Sequence, residues 1–274
     1  MFLSGPHLIA VATLVSLLSI ELAGPVAAQP IGSPPDFSSS NVGWVAPIRA
    51  QFIAVPGSPK PVSDDPAHPP YRQGGQTYRI SDVSNPNLKQ WAKDVMKKDN
   101  DEVLAGKIAY TARTSCNPAG VPGFMMFSVH PVFFLQTPAE VTMIYEGDHQ
   151  VRRVYLNVPH SANPPPSWYG ESIGHYEGDT LVIDTIGLST KAFIDNYRTP
   201  HSEKLHVTER WKVVDQGTAM EVTMTIDDPD TFNQPWQAMQ RYDRVQQPIV
   251  EDVCAENDQK LFDYHIPVAE KPDF

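Results

Sequence analysis

The second half of the chain alternates apolar and polar residues with a period of two, and this pattern limits the fold more than any other feature. In the clearest run, four apolar residues fall on one face: Met220, Val222, Met224 and Ile226. Such alternation is typical of a strand with one buried and one solvated face. Runs of a similar β-rich kind occupy 141–145, 151–156, 173–177, 180–185, 205–214 and 236–245. Turns join several of them directly, which predicts a mainly β fold: an antiparallel up-and-down barrel of the calycin or lipocalin type, or a sandwich.

One helix is expected before these strands. Asn85-Pro86 is a typical helix start, and apolar residues recur at helical spacing from Leu88 to Leu104. Gly106 is a typical stop, so the signals together predict a helix over 86–105. The predicted organisation is a single β-barrel-like domain over 76–274 that includes this helix.

The residues before this domain are of two kinds. Leu8–Leu22 is largely apolar and is followed by Val26-Ala27-Ala28, which is typical of a signal-peptidase site. Residues 1–28 are therefore predicted to be a signal peptide, which indicates a secreted or periplasmic protein. No Lys or Arg precedes the apolar run, and an uncleaved N-terminal anchor is the alternative. Residues 29–75 are rich in Pro, Ser and Gly, which predicts an extended, Pro-rich arm.

Charge and motif content exclude several classes of function. The chain has 21 Lys and Arg against 32 Asp and Glu, a net charge of −11, whereas a nucleic-acid-binding surface needs positive charge. The sequence contains no Rossmann or P-loop glycine pattern and no Gly-x-Ser-x-Gly motif. No tight pair of histidines stands beside a carboxylate at metal-ligand spacing. We therefore expect a small-molecule ligand or substrate, with no nucleic acid, no membrane after signal cleavage, no organic cofactor and no metal.

The two cysteines of the chain are expected to pair. Cys116 and Cys254 are an even pair in a chain with a predicted export signal, and disulfides form in oxidising compartments. The alternative is two unpaired, buried thiols. Neither cysteine has a neighbouring His or Cys at nucleophile spacing, so no catalytic thiol is expected.

The strand at 205–214 carries the most informative charged residues. If its apolar face points inward, Glu209 is a carboxylate among apolar neighbours, where burial raises its pKa toward the range of a general acid or base. The alternative is a buried ion pair with an arginine of a neighbouring strand: Arg153, Arg241 or Arg244. If the opposite face is the interior, His206, Thr208 and Arg210 line the pocket instead.

Two further ionisable residues complete the predicted catalytic set. Asp184 lies on an otherwise apolar strand and is expected to be at least partly buried. His201 lies in a loop that leads into the next strand, where functional side chains are common, although a surface role is the alternative. The catalytic candidates are Glu209, His206, His201, Asp184 and Arg210.

The loop after 151–156 combines a rigid proline run with two aromatic residues. Trp168 and Tyr169 follow Pro164-Pro165-Pro166 closely, and they would wall a pocket for an apolar or aromatic ligand. The alternative is that Trp168 only holds the loop against the barrel. The substrate-binding candidates are Trp168, Tyr169, His160, His175 and Trp211.

One long segment resembles a known family. Residues 172–185 read SIGHYEGDTLVIDT, which is similar to a signature of a widespread family of secreted, functionally uncharacterised bacterial proteins. The similarity continues in PHSE at 200–203, LHVTER at 205–210 and DDP at 227–229, and around both cysteines. Tyr176 replaces the usual Trp of this signature, and 157–160 departs from its common Asp-Gly-Arg-x-His run. The resemblance implies secretion and the cysteine pair, and it implies no reaction.

These features favour a secreted, cofactor-independent enzyme. We expect acid–base chemistry of the lyase, isomerase or hydrolase type on a small, largely apolar or aromatic molecule. Two other functions remain open. The first is a non-catalytic protein that binds a hydrophobic ligand inside the barrel. The second is an envelope structural or interaction protein, with a filled barrel interior and an exposed apolar patch.

Overall fold

The strands form one mainly antiparallel sheet that closes on itself. The computed structural model describes residues 34–38, 41–46, 51–69, 79–107, 109, 111, 115–126 and 130–254; the predicted signal peptide lies outside them. They contain the strands β1 (Val42–Val45), β2 (Ile53–Ala54), β3 (Val132–Gln136), β4 (Glu140–Tyr145), β5 (Gln150–Leu156), β6 (Glu171–Glu177), β7 (Thr180–Ile186), β8 (His206–Val214), β9 (Ala219–Asp227) and β10 (Trp236–Gln246). Within these residues nine strands close a barrel, because β1 pairs with both β3 and β10, while β2 adds to β10. The prediction of a β barrel is confirmed.

Alternation decides which side chains fill the barrel. The four apolar residues of β9 that share a face are fully buried, as the sequence predicts. On β8 the buried residues are Val207, Glu209 and Trp211, while Arg210 is exposed. The apolar face of this strand therefore points inward, and its neighbour β7 follows the same rule through the pairs Ile183–Glu209 and Thr185–Val207.

Part of the segment predicted to be an extended arm, 29–75, belongs to the barrel. Residues 42–45 form β1, which lies antiparallel to 243–246 and closes the barrel. Trp44 is only 2% exposed, and its indole Nε1 donates a hydrogen bond to the carbonyl of Phe37 at 3.0 Å. A strand of four residues between Pro- and Ser-rich stretches is too short to show a clear period of two, so composition dominated the prediction.

The helix is confirmed but begins later than predicted. Helix α1 spans Gln90–Leu104, and Gly106 follows with a φ of +89°. Residues 86 and 87 form a turn instead, in which Asn85 Oδ1 accepts a hydrogen bond from the amide of Asn87 at 2.9 Å, and Leu88 forms an isolated bridge with Phe232. The amide of Lys89 then donates to the carbonyl of Thr231 at 2.9 Å. Short 3₁₀ turns lie at Gly123–Met126, Gly147–His149 and Asp215–Gly217.

One strand pair departs from an up-and-down order. β5 and β6 are adjacent but parallel, with Val154 opposite Ser172, and parallel neighbours need a long crossover connection. The crossover, residues 157–170, is tied to the segment after β7 because the amide of Ser167 donates to the carbonyl of Gly187 at 3.0 Å. It enters β6 at Gly170, whose φ is +61° and where a Cβ atom would clash with the Ile186 carbonyl oxygen. Most of the crossover residues are exposed and none is buried, so the crossover lies on the outer surface of the barrel.

The predicted disulfide is confirmed. Cys116 and Cys254 are bonded, with their Cα atoms 5.5 Å apart. The bond joins the loop before the first 3₁₀ turn to the segment after β10, and the amide of Cys254 also donates to Asp148 Oδ1 at 2.8 Å. Among the described residues, no helix is both long and apolar enough to cross a membrane.

Candidate functional site

The outer face of β7 and β8 brings two predicted catalytic residues together. Asp184 lies opposite Thr208 in the antiparallel register, and His206 is the next residue outward on the same face. His206 Nε2 lies 2.8 Å from Asp184 Oδ2. About a third of the Asp184 side chain and 42% of the His206 side chain are exposed. The pair is therefore held by the sheet and is still open to solvent.

The crossover and the start of β6 add a second histidine and a second carboxylate. His160 Nε2 lies 2.8 Å from Asp184 Oδ1, and His160 Nδ1 lies 2.9 Å from Glu171 Oε1. The Ser161 amide and hydroxyl donate to the two Glu171 oxygens at 2.7 and 2.6 Å. Together these contacts make a continuous chain, Glu171–His160–Asp184–His206, which we call the histidine–carboxylate chain.

The electrostatics of the chain follow from these hydrogen bonds. Partial burial opposes ionisation of Asp184, but the hydrogen bonds from His206 and His160 prevail and hold its pKa below the usual value. The hydrogen bond to Asp184 raises the pKa of His206 above its usual value. The hydrogen bond from the Ser161 hydroxyl lowers the pKa of Glu171. These pKa shifts favour ionised side chains of Asp184 and Glu171 and a charged side chain of His206.

A groove of about 590 Å³ lies beside one end of the chain. Its apolar walls include Pro164, Pro165 and Trp168 from the crossover and Val151 and Tyr155 from β5. Glu171 lines the groove as well, so the groove and the histidine–carboxylate chain share this residue. The volume falls in the range of small-molecule sites in proteins.

Tyr169 joins the groove to the barrel interior. It lines the groove, its hydroxyl donates to Gln150 Oε1, and its ring makes an edge contact with the buried Phe124. Burial raises the pKa of the Tyr169 hydroxyl. The two aromatic residues predicted to wall a pocket, Trp168 and Tyr169, therefore line the same groove.

Glu209 lies elsewhere, inside the barrel. It is fully buried and accepts two hydrogen bonds from the guanidinium of Arg152, at 3.1 and 2.5 Å. Arg152 also donates to Ser172 and Thr185, at 3.1 and 2.8 Å, and lies over the ring of Phe124. Burial raises the pKa of Glu209, and the Arg152 guanidinium opposes the rise. The arrangement matches the alternative of a buried ion pair, with a partner other than the three arginines considered.

The remaining predicted residues do not belong to the histidine–carboxylate chain. His201 is buried in the loop before β8, where burial lowers its pKa, and its Nδ1 lies 2.8 Å from the Ser202 carbonyl. His175 and Arg210 both contact Glu177, at 3.1 and 2.6 Å, on another part of the outer surface. Trp211 is fully buried in the barrel core. Of the ten predicted residues, the structure brings His160, Asp184 and His206 into one cluster, with Trp168 and Tyr169 lining the groove that shares Glu171 with it.

Two residues of these clusters were missed from the sequence. Glu171 opens β6 directly after the aromatic loop, and its position at a strand start beside that loop was the available signal. Arg152 shares a strand face with Val154 and Leu156, so the period of two predicts its inward direction. The neighbouring Arg153 points outward and pairs with Glu140 at 2.6 Å.

The geometry of the histidine–carboxylate chain suits proton transfer. The nitrogens of His160 face carboxylate oxygens at hydrogen-bond distance. No group of three or more His, Cys, Asp or Glu in the described ranges has a geometry that could hold a metal ion. Hydrogen-bonded imidazoles and carboxylates can pass a proton along their length.

The amino-acid sequence of this protein matches no protein-family model, no curated protein and no solved structure.

Proposed function

We propose that this protein is an enzyme that performs acid–base chemistry on a small, largely apolar or aromatic molecule bound in the groove. One observation carries the proposal: Glu171 belongs both to the groove and to the chain that ends at the exposed His206. A hydrogen-bonded path therefore connects the substrate site with solvent. Such a path is what an enzyme needs to remove a proton and to exchange it.

Each member of the chain has a distinct role in this proposal. Glu171 is the base nearest the substrate, since its lowered pKa keeps it ionised. His160 receives the proton at Nδ1 and passes one from Nε2 to Asp184, because both nitrogens already face these oxygens. His206 releases its Nδ1 proton to water and takes the proton from Asp184 at Nε2, which faces Asp184 Oδ2. Its Nδ1 has no hydrogen-bond partner in the part of the chain that the structure describes.

The two competing functions receive less support. A hydrophobic ligand inside the barrel would compete for space with Trp211, Phe134 and the Arg152–Glu209 pair, all of which are buried there. An envelope interaction protein agrees with this filled interior, and exposed apolar residues such as Leu135 at 55% agree with it too. It leaves the histidine–carboxylate chain without a role, which is why we favour the enzyme.

Proton exchange can test the proposal before the natural substrate is known. A panel of small aromatic and apolar acids, esters, ketones and amides is incubated with the protein in D₂O, and proton NMR follows deuterium incorporation and product formation. We expect at least one compound to exchange or react. Glu171→Gln should lower that rate by about 10²–10⁴-fold, the usual contribution of a general acid or base.

A matched surface variant separates catalysis from general damage. Lys212→Gln removes an exposed charge that pairs with Asp179 on the outer face of β8, and its rate should equal that of the wild type. The proposal fails if no compound exchanges, or if Glu171→Gln and His206→Gln both retain the wild-type rate.

We also propose that the protein is exported, as a member of the secreted family that the 172–185 segment resembles. The Cys116–Cys254 disulfide supports an oxidising compartment. A calycin-like relationship of the barrel stays a prediction. Fractionation of the source cells tests export, and recovery of the full-length protein only in the cytoplasm, with reduced thiols, would contradict it.

A further inference from the structure

We infer that the groove binds a short, uncharged, extended peptide, which pairs as an added strand with the open edge of β5. The inference builds on the proposed function, because it names the substrate class of the same groove. Its basis is a set of backbone groups on β5 that no neighbouring strand uses.

The hydrogen-bonding phase of β5 is fixed by its neighbour β4. The amide of Leu156 donates to the carbonyl of Ala139 at 2.9 Å, one position beyond the Tyr155–Glu140 pair. In an antiparallel ladder the bonded and non-bonded pairs alternate. Val154 and Arg152 therefore direct their backbone groups toward β4. Val151, Arg153 and Tyr155 direct theirs to the other side, toward β6.

On that other side the ladder with β6 is incomplete. It covers only Val154–Leu156 of β5, opposite Ser172–Gly174. This parallel register occupies the Tyr155 amide and carbonyl and the Arg153 carbonyl. Three groups are left, the Val151 amide, the Val151 carbonyl and the Arg153 amide, and they have no hydrogen-bond partner among the described residues. We call these three groups the open edge.

The open edge faces the groove. Val151 and Arg153 both line it, as do the crossover residues Pro164 and Pro165. Proline has no amide hydrogen, so these two residues cannot donate to the Val151 carbonyl. The seam between β5 and the crossover is bridged by the Tyr169–Gln150 hydrogen bond and not by backbone pairing. A ligand with its own backbone amides can supply the missing partners.

The arrangement selects an extended peptide as the occupant. The open edge offers a donor, an acceptor and a second donor on one strand, which matches one residue of an extended chain and the carbonyl two positions away. The ligand needs no charge, because the charged residues of the groove already have partners: Arg153 pairs with Glu140, and Glu171 pairs with His160. Trp168 and the two prolines offer an apolar wall for one ligand side chain. An uncharged tripeptide with a central aromatic residue satisfies all three conditions.

Amide hydrogen exchange of the full chain tests the inference directly. The probe is acetyl-Val-Phe-Val-amide, and exchange is followed by ¹H–¹⁵N NMR. Without peptide, the Val151 and Arg153 amides should exchange much faster than those of Arg152 and Val154. With saturating peptide they should slow by about tenfold or more, while the Ile53 and Ala54 amides of β2 should not change.

Two controls separate backbone pairing from side-chain binding. The same peptide with an N-methyl group on the central Phe amide keeps its side chains but loses a donor, and it should bind about tenfold more weakly. Arg153→Pro removes one donor of the open edge without touching the β4 ladder, whereas Arg153→Ala keeps it. Peptide affinity should fall in the first variant and stay within about twofold in the second.

Each other result overturns the inference. It fails if the peptide does not bind, if both peptides bind equally without slowing these amides, or if the amides are slow before peptide is added. Slowing with protein concentration alone would assign the edge to a second copy of the chain. Failure of the proposed function looks different: peptide protection would persist while Glu171→Gln and His206→Gln left all turnover unchanged.

Discussion

β8 contributes one residue to each of two ionic clusters on its opposite faces, and the two clusters differ mainly in access to water. Inside the barrel, Arg152 and Glu209 are at most 2% exposed and form a bidentate pair. Outside, Asp184 and His206 keep a third or more of their side chains exposed. Consecutive residues of β8 point to opposite faces, so Thr208 faces the outer cluster and Glu209 faces the barrel interior.

The difference separates structural from chemical use of charge. A buried pair cannot give up either charge without a large penalty, so it fixes the barrel interior and takes no part in proton exchange. An exposed pair contributes little stability but can exchange protons with water. The outer cluster is therefore the better candidate for acid–base chemistry, although Glu209 is the more conspicuous carboxylate in the sequence.

The largest expected effect on stability comes from removing the charge of the interior carboxylate, Glu209. Glu209→Gln keeps the shape of the side chain but leaves the Arg152 guanidinium buried without a counter-charge. We expect the free energy of unfolding to fall by about 3–5 kcal/mol, as measured by urea denaturation.

A double variant makes this prediction specific to charge. Arg152→Met combined with Glu209→Leu removes both charges and fills similar volumes, so it should be more stable than Glu209→Gln alone. If Glu209→Gln unfolds at the wild-type urea concentration, the interior pair is not structural and the comparison between the two faces fails.

A second prediction compares the stability loss at two threonines on adjacent strands, Thr185 of β7 and Thr208 of β8. Thr185 is fully buried and accepts from Arg152 at 2.8 Å, whereas Thr208 is half-buried and its bond to Asp184 is 3.5 Å long. Thr185→Val should cost about 1.5–3 kcal/mol, because a hydrogen bond to a charged group is lost. Thr208→Val should change stability by less than about 0.5 kcal/mol. Equal losses in thermal or urea unfolding would contradict the contrast.

The sequence predicted more of the fold than of the site. The period of two identified the strands from β4 to β10, and their direct turns fixed most of the order. It could not give the parallel pairing of β5 with β6, because the crossover 157–170 has no periodicity of its own. The same crossover places His160 beside Asp184. This contact between a loop and a sheet face therefore could not be predicted from the sequence either.

Glu209 shows why burial alone misleads when sites are inferred from sequence. Alternation put it on the apolar face of its strand, and if that face pointed inward a buried carboxylate suggested a catalytic group, with a structural ion pair as the alternative. The outcome depended on the opposite strand, where Arg152 points inward and neutralises it. Cross-barrel partners of this kind depend on strand order, which a single strand's pattern does not contain.

A third, smaller effect concerns the pH dependence of the outer pair. The folded pKa of Asp184 lies below 3.8, so its contribution to stability is present above pH 3.8 and is lost as the pH falls through the folded value. The folded pKa of His206 lies above 6.5, so its contribution is complete below pH 6.5 and is lost as the pH rises through the folded value. The pair therefore stabilises the fold mainly between these limits.

This window can be measured with one variant. His206→Gln should be less stable than the wild type near about pH 5.5, by less than about 1 kcal/mol because the pair is exposed, and equally stable near about pH 9. Urea unfolding at both pH values gives the two differences. A difference that grows with rising pH would have the wrong sign and would contradict the His206–Asp184 assignment.

The smallest expected effect, and the most direct, is on the titration of single histidines. Proton NMR should place the pKa of His206 above 6.5 in the wild type, and Asp184→Asn should lower it, because the hydrogen bond to a charged acceptor is the main cause of the shift. His201 serves as an internal control. Burial lowers its pKa, and among the described residues its Nδ1 contacts the Ser202 carbonyl and its ring does not contact Asp184, so its pKa should stay below 6.5 in both proteins. If both histidines respond equally to Asp184→Asn, the variant has changed the whole barrel and not a local pair. If only His206 responds, the outer face holds a separate titrating unit, which is the property that distinguishes it from the Arg152–Glu209 pair one residue away.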